Sequence, residues 1–238
     1  KQNHFIHIEW GGDSHAGRHS EKIETLLQQA LNAKSIQAND SGFVQFSKQA
    51  KDSNWSETYI CHLFDWHLKE QENMPWLTGS AFWTFKDFAT PLRPENPVPY
   101  VNQKGVLERD GTVKESYYVF QSYWSKKPMV HIYGHSWPVR WGSEGEEKLV
   151  EVYSNCDRAE LFVNGKSYGV RKRNSQDFPA AGLRWNIVFS EGKNFIKVIA
   201  KKNKVEVSDE ISMNYQTKKW GKPAKFQLTK TNVDSRVT

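Results

Sequence analysis

The sequence predicts a chain in which an α/β unit precedes an all-β unit, and three observations lead to this prediction. The 238 residues are enough for one large or two modest domains. Strand and helix patterns alternate over residues 1–127, which is typical of parallel α/β units. Short apolar-polar alternations separated by turn residues follow over residues 128–217, which favours an immunoglobulin-like β-sandwich.

The first predicted element is a short buried strand at residues 4–10. Its apolar run at residues 5–8 ends at Gly11 and Gly12, where the backbone can turn tightly. Glu9 therefore lies at the C-terminal tip of a strand.

Two helices are expected next, a short one near residues 21–33 and a long one from about residue 54 to residue 72. The long helix has one apolar face. Ser53 or Asn54 is expected to cap it, with Glu57 placed to complete a capping box.

A second buried strand is predicted at residues 76–85, followed by a proline-rich loop and a helix over residues 113–124. Because strand and helix alternate, the two strands are expected to be parallel.

The β-sandwich is predicted from apolar alternations that turn residues separate. Asn164 and Gly165 between two such segments form a strong hairpin signal. Residues 218–238 are expected to be a linker and either the start of a further domain or a tail. The predicted strands are Val130–Tyr133, Lys148–Ser154, Ala159–Val163, Trp185–Phe189, Asn194–Lys201 and Ile211–Tyr215.

Composition and charge exclude several classes of protein. The 33 basic and 27 acidic residues give a net charge of +6 without a tight basic run, so nucleic-acid binding is disfavoured. No stretch is long and apolar enough to predict a membrane span. Cys61 and Cys156 are expected to be buried thiols, and no metal-ligand spacing is present.

Two predicted strands end in residues suited to sugar chemistry. In a parallel barrel all strand tips face one mouth, so Glu9 and Trp10 would lie near Trp83. A carboxylate can form a covalent sugar intermediate, and tryptophan rings can stack on the sugar. The alternatives are a surface glutamate at a strand end and a core aromatic at Trp83.

Four segments in order resemble glycoside hydrolase family 2, the β-galactosidase and β-glucuronidase family. Residues 9–12 (Glu-Trp-Gly-Gly) resemble the nucleophile strand, the seventh of the family's (β/α)₈ barrel, and residues 79–88 resemble the eighth. Residues 102–115 resemble the segment that enters the last barrel helix, and residues 155–166 resemble the sandwich after the barrel. The resemblance implies the C-terminal portion of a TIM barrel followed by an immunoglobulin-like domain.

The resemblance also implies roles for individual residues. Glu9 would be the nucleophile of a retaining mechanism, and Trp83 would line the sugar subsite. Asp13, His15 and Arg18 are candidate hydroxyl-binding groups, with a solvated polar loop as the alternative.

Asn102 and Lys104 belong to an Asn-x-Lys-Gly sequence that resembles the element by which family β-glucuronidases hold the sugar carboxylate. An ammonium group is a suitable partner for a carboxylate or sulfate. The alternatives are a lysine that caps the region of the last barrel helix and a lysine that faces water.

The chain departs from the family in lacking an Asn-Glu pair after an apolar run, where the acid/base residue would be. We therefore expect a fragment that is inactive alone and whose partners are the missing N-terminal domains of the same polypeptide. The family also implies a glycoside derived from an oligosaccharide or polysaccharide as substrate, no cofactor, and a periplasmic or secreted bacterial location.

The preferred function is that of an exo-acting retaining β-galactosidase, with β-glucuronidase as the alternative within the family. A non-catalytic carbohydrate-binding or interaction module is the alternative from another class. That module would need exposed aromatic rings on the sandwich, for which Trp137, Trp141 and Trp185 are candidates.

Overall fold

The computed structural model describes residues 4–21, 55–94, 96, 98–173 and 183–217, most of them in β-strands or loops. The predicted helix near residues 21–33 and the linker at residues 218–238 lie outside or almost entirely outside these ranges. The described elements, in chain order, are β1 Phe5–Trp10, α1 Glu57–Glu72, β2 Leu77–Phe82, β3 Phe88–Ala89, β4 Val101–Asn102, α2 Glu115–Trp124, β5 Val130–Ile132, β6 Val139–Trp141, β7 Glu147–Ser154, β8 Arg158–Val163, β9 Lys166–Lys172, β10 Arg184–Val188, β11 Gly192–Lys202 and β12 Val205–Gln216.

The two strands of the first unit, β1 and β2, pair in parallel as predicted, with Trp10 beside Phe82. Trp10 packs on the helices, and its ring lies 5.7 Å from that of Phe64 and 5.6 Å from that of Phe120. The core of this unit therefore lies between the strand pair and the two helices.

The prediction that β1 is a buried strand is wrong for this chain. Phe5, Ile6 and Ile8 are 56%, 66% and 80% exposed. Among the described residues β1 has one hydrogen-bonded neighbour, β2, so its other edge and much of its surface remain uncovered. The strand pair thus presents the exposed apolar side chains that are expected of an incomplete sheet.

The N-cap of the long helix lies two or three residues later than predicted. Ser56, not Ser53 or Asn54, is the N-cap, and its side chain accepts a hydrogen bond from the Tyr59 backbone N–H at 3.1 Å. Both earlier residues lie outside the described ranges. Glu57 is consequently the first helical residue and is not placed for a capping box.

The second unit consists of two sheets that face each other. One has the order β10-β7-β5 and the other the order β6-β12-β11-β8-β9. Inward side chains of both sheets form one core, in which Ile132, Leu161, Ile187 and Val198 are fully buried. The predicted two-sheet architecture is therefore confirmed.

The Asn164-Gly165 turn joins β8 and β9 as a hairpin, and both residues have positive φ, 51° and 81°. Positive φ at both central positions is what a tight hairpin turn requires. The strand β9 itself was not predicted, because most of its side chains are exposed and Gly169 interrupts its apolar alternation. The three-residue β6, Val139–Trp141, was also missed, since so short a strand carries no periodic signal.

The two units meet through buried polar contacts. The ring of His62 in α1 lies 2.8 Å from the Glu151 carboxylate in β7, and Arg184 in β10 lies 3.6 Å from the same group. Glu115 at the start of α2 contacts His131 in β5 at 2.7 Å.

Both cysteines, Cys61 and Cys156, are buried free thiols, as predicted. Within the described ranges, neither helix combines the length and the apolar character that crossing a bilayer demands.

Candidate active site

The predicted nucleophile and the predicted sugar platform lie at the same end of the β1–β2 pair. Glu9 is exposed near the end of β1. Trp83 directly follows β2, and its backbone N–H donates to the Trp10 carbonyl at 2.8 Å. The Trp83 side chain is 45% exposed. A carboxylate and an indole are thus accessible at the carboxyl end of two parallel strands, where barrel enzymes carry their chemistry.

Trp10 does not share this exposed position, so the interpretation of Trp10 as a sugar-stacking residue is wrong. Its side chain is 5% exposed and lies in the core, 5.0 Å from the ring of His67 and 5.5 Å from that of Phe82. Trp10 is the one buried residue of β1, and it follows an irregularity in the β1–β2 pairing between His7 and Trp10. The Trp10 ring is therefore unavailable for stacking on a sugar.

Gly11 allows the end of β1 to approach the segment that carries Trp83. Its φ is +146°, and a Cβ atom at this position would lie 2.3 Å from the Trp83 carbonyl oxygen. A larger residue would push the two strand ends apart, which gives Gly11 a direct steric role in the site.

The three candidate hydroxyl-binding residues in the loop after Glu9 have different partners, and His15 contacts the Asn102–Lys104 segment. Asp13 pairs with Arg93, whose Nη1 lies 3.2 Å from Oδ1. His15 Nδ1 lies 3.1 Å from Nε2 of Gln103. Arg18 is exposed, and its backbone N–H donates to the His15 carbonyl at 3.1 Å.

Asn102 ends β4 and Lys104 lies in the loop that follows, which is hydrogen-bonded to the segment after Trp83. The Lys104 carbonyl accepts a hydrogen bond from the Thr84 backbone N–H at 3.2 Å. The buried Asn102 side chain accepts one from the Lys104 backbone N–H at 3.1 Å, so Asn102 orients Lys104. Lys104 itself is partly exposed.

Sequence reasoning missed a buried lysine beneath these loops. Lys114 is 1% exposed, and its Nζ lies 2.9 Å from the nearer carboxylate oxygen of Asp87. Burial raises the pKa of Asp87, and the Lys114 ammonium opposes this effect. The enclosure of Asp87 indicates a structural role. The run Val113-Lys114-Glu115 gives no local sign that its lysine points inward.

Glu57 is a second buried carboxylate, with 1% exposure. It accepts hydrogen bonds at 2.7 Å from the backbone N–H groups of Gly17 and Glu115. Burial raises its pKa to about 7, although both bonds favour the ionised form. Since its oxygens are engaged by backbone donors, Glu57 acts as a connector between the loop after Glu9 and the two helices.

Three histidines are held by contacts within the protein. His62 lies against Glu151, His19 stacks on Trp137 with ring centroids 4.9 Å apart, and His67 contacts the Trp10 ring.

One cluster in the sandwich has the composition of a metal site. Ligand atoms of His131, His135 and Asp209 lie within 4.8 Å of one another. The two imidazole rings are stacked, with an interplanar angle of 15° and centroids 4.6 Å apart. Because the lone pair of an imidazole nitrogen lies in the ring plane, stacked rings are poorly placed to share one ion. Hydrogen bonds, such as that of His135 to Asp209 at 2.8 Å, hold the cluster instead.

The three tryptophans considered for a carbohydrate-binding module have different surroundings. Trp185 is 2% exposed in the sandwich core. The Trp137 ring lies under the Arg140 guanidinium, whose Cζ atom is 4.6 Å from the ring centroid. Trp141 is 41% exposed and lines a groove of about 650 Å³ between the sandwich and α1. These positions do not form the flat exposed aromatic surface that such a module needs.

Comparison with known proteins finds relatives that are named as sugar-cleaving enzymes. Residues 145–208 match a family model described as a domain of unknown function, DUF4982. A protein of Formosa agariphila provisionally named a β-glucuronidase is 45% identical over 94% of this chain and 27% of its own length. A β-galactosidase of Bacteroides ovatus is 30% identical over 80% of this chain and 20% of its own length.

Solved structures give the same result. Bacteroides uniformis β-glucuronidase 3 in its apo form has 58% identity and a TM-score of 0.79 over 97% of this chain. A β-glucuronidase of Parabacteroides merdae has 58% identity and a TM-score of 0.80 over 93% of it. The chain spans 28% of each of these two structures. It therefore corresponds to about a quarter of the length of its relatives.

Proposed function

Since the chain belongs to glycoside hydrolase family 2, we propose that it is the C-terminal part of a retaining β-glycosidase whose nucleophile is Glu9. The observation that supports this most directly is that Glu9 and Trp83 are both exposed at the carboxyl end of two parallel strands. We propose further that β1 and β2 are the last two strands of a (β/α)₈ barrel and that an immunoglobulin-like sandwich follows. The exposed Phe5, Ile6 and Ile8 would be covered by the preceding barrel strands.

In the proposed mechanism the Glu9 carboxylate attacks the anomeric carbon of the bound sugar and the glycosidic oxygen leaves. The resulting ester between Glu9 and the sugar is then hydrolysed by water. A second carboxyl group, about 5–5.5 Å from Glu9, would protonate the leaving oxygen and then accept a proton from the attacking water. We place that group in the part of the protein that precedes this chain, and Trp83 would stack on the sugar in the cleavage subsite.

For the substrate we propose a β-glucuronide in preference to a β-galactoside, which corrects the order of the two sequence-based alternatives. Lys104 is partly exposed next to the segment that carries Trp83, and Asn102 fixes its backbone. An ammonium group in this position suits the carboxylate of a uronic acid, whereas a galactoside offers no negative charge. The relatives at 58% identity are β-glucuronidases by name.

The nucleophile is tested by Glu9→Gln in the complete protein. Glutamine keeps the shape but cannot form the glycosyl ester, so kcat for a chromogenic β-glucuronide should fall by about 10⁴-fold or more. Glu72→Gln, at the exposed end of α1, is the matched control and should leave kcat unchanged. Turnover by Glu9→Gln at the wild-type rate would exclude Glu9 as nucleophile.

The substrate is tested by Lys104→Ala with chromogenic β-glucuronide and β-galactoside. Loss of a charge-assisted hydrogen bond should reduce kcat/KM for the glucuronide by about 10- to 100-fold. Lys193→Ala on the sandwich surface is the control. Wild-type protein that cleaves only the galactoside, or Lys104→Ala with unchanged glucuronide cleavage, would contradict the proposed substrate.

A further inference from the structure

The three loops that carry the proposed site meet at one buried cation. Lys114 Nζ donates to the Ser14 carbonyl at 2.9 Å, to the Gln103 carbonyl at 3.2 Å and to the Asp87 carboxylate. Ser14 follows Glu9 in the loop after β1, and Asp87 follows Trp83. Lys114 thereby contacts the loop after Glu9, the segment after Trp83 and the loop that carries Lys104.

The hydrogen bonds of Lys114 restrict the movement of these loops. An ammonium group has three N–H donors, and each of the three loops provides one acceptor. The Lys114 side chain is fully buried, where an ammonium group that lost a partner would carry a large desolvation cost. Small displacements of any of the three acceptors are therefore opposed.

Asp87 extends the same connection to the residue after Lys104. Its Oδ1 accepts a hydrogen bond from the Gly105 backbone N–H at 2.8 Å. A Cβ atom at Gly105 would lie 2.3 Å from the Asp87 backbone nitrogen and 2.6 Å from the Leu107 carbonyl oxygen. Lys104 is thus fixed on both sides, through the carbonyl of Gln103 and the amide of Gly105.

We propose that Lys114, together with Asp87, is a positioning residue that holds Lys104 in register with Glu9 and Trp83. This inference rests on the proposed role of Lys104 in binding the substrate carboxylate. Lys114 touches no substrate, since its ammonium is enclosed by the three loops. It acts on recognition by fixing the distance between the carboxylate-binding group and the nucleophile.

The test is a double-mutant cycle in the complete protein, with p-nitrophenyl β-D-glucuronide as substrate. Lys114→Met removes the charge and keeps most of the side-chain volume. It should reduce kcat/KM by about 10- to 100-fold in the wild-type background, mainly through KM. In the Lys104→Ala background the same change should cost less than about threefold, because the group that it positions is already absent.

A merely structural role predicts a different result, namely the same fold loss in both backgrounds, and that result would overturn the proposal. Lys148→Met is the matched control. Lys148 is also a buried lysine, 5% exposed, but pairs with Glu146 in the sandwich at 2.7 Å, and its loss should leave kcat/KM unchanged.

Circular dichroism checks that each variant is folded. If Lys114→Met does not fold, Asp87→Asn provides the same cycle, because it removes the ion pair and retains an oxygen for the Gly105 amide. A Lys104→Ala protein with full glucuronide activity would overturn the proposed carboxylate contact and this inference with it. A large Lys104→Ala effect combined with an additive cycle would overturn the inference alone.

Discussion

The strand β1 and the sandwich strand β11 have similar apolar-polar alternation but very different burial. In β11 the inward residues Ile196, Val198 and Ala200 are at most 2% exposed, because the opposite sheet covers them. In β1 the residue Ile8 is 80% exposed. An alternating pattern therefore predicts a strand with an apolar side, whereas burial also requires a partner surface, which the described residues provide for β11 but, apart from Trp10, not for β1.

The largest difference between the two regions is expected in the free energy of unfolding, when Leu161→Ala and Ile8→Ala are compared in this chain. Leu161 is fully buried in the sandwich core, so its truncation should lower the free energy of unfolding by about 2–5 kcal/mol. Ile8→Ala should change it by less than about 0.5 kcal/mol. Urea unfolding followed by tryptophan fluorescence measures both values.

The same two variants in the complete protein test whether β1 becomes buried there. If earlier barrel strands cover β1, Ile8→Ala should then cost about 1 kcal/mol or more, measured as increased hydrogen exchange of β1 and β2. An unchanged exchange rate would mean that this surface of β1 stays uncovered, against the proposed barrel. Val170→Ala, at an exposed position of β9, should change neither the free energy of unfolding of this chain nor the hydrogen exchange of the complete protein.

A pH-dependent effect on stability is expected at Glu57, where the first unit meets the sandwich. Burial raises the pKa of Glu57 from 4.5 to about 7, so the folded state binds a proton that the unfolded state has released. Stability should therefore fall as pH rises from 4.5 to 7, by at most about 3 kcal/mol.

The measurement compares wild type with Glu57→Gln by thermal unfolding between pH 5 and pH 8. Glutamine does not titrate, so wild type should lose stability relative to the variant as the pH rises. Glu151 is also buried but serves as a contrast. Burial raises its pKa, but the interactions with His62 and Arg184 lower it by more than burial raises it, and the resulting pKa is about 2. Its contribution is lost only as pH falls from 4.5 towards 2, outside the measured window. A pH-independent difference between wild type and Glu57→Gln would show that the Glu57 pKa is not raised.

The sequence predicted most of the regular structure because its signals are local. Alternation located the strands of the sandwich core, and Asn164-Gly165 located a hairpin. The sandwich edges were less predictable, since β9 is mostly exposed and has little apolar alternation. The burial of β1 was predicted wrongly because a strand pattern does not reveal whether its partner is present.

The candidate site was predicted only in part, for a similar reason. The position of Glu9 followed from the glycines that end β1, but the burial of Trp10 required the helix side of the strand to be known. Lys114 was missed because its partners are distant in sequence. Ser14 lies 100 residues away, Asp87 lies 27 and Gln103 lies 11, and such contacts leave no periodic pattern.

The contacts of Glu57 bear on how freely the sandwich could be exchanged for another domain. Its carboxylate holds Gly17 on the loop that follows Glu9 and also lies 3.4 Å from the Ser136 hydroxyl of the sandwich. The neighbouring Thr58 hydroxyl is bonded to Tyr133 at 2.6 Å. A chimera that carries a foreign C-terminal module would forfeit these hydroxyl contacts and leave a buried acid short of donors. Grafts onto this scaffold should therefore retain the Tyr133–Ser136 turn with the module.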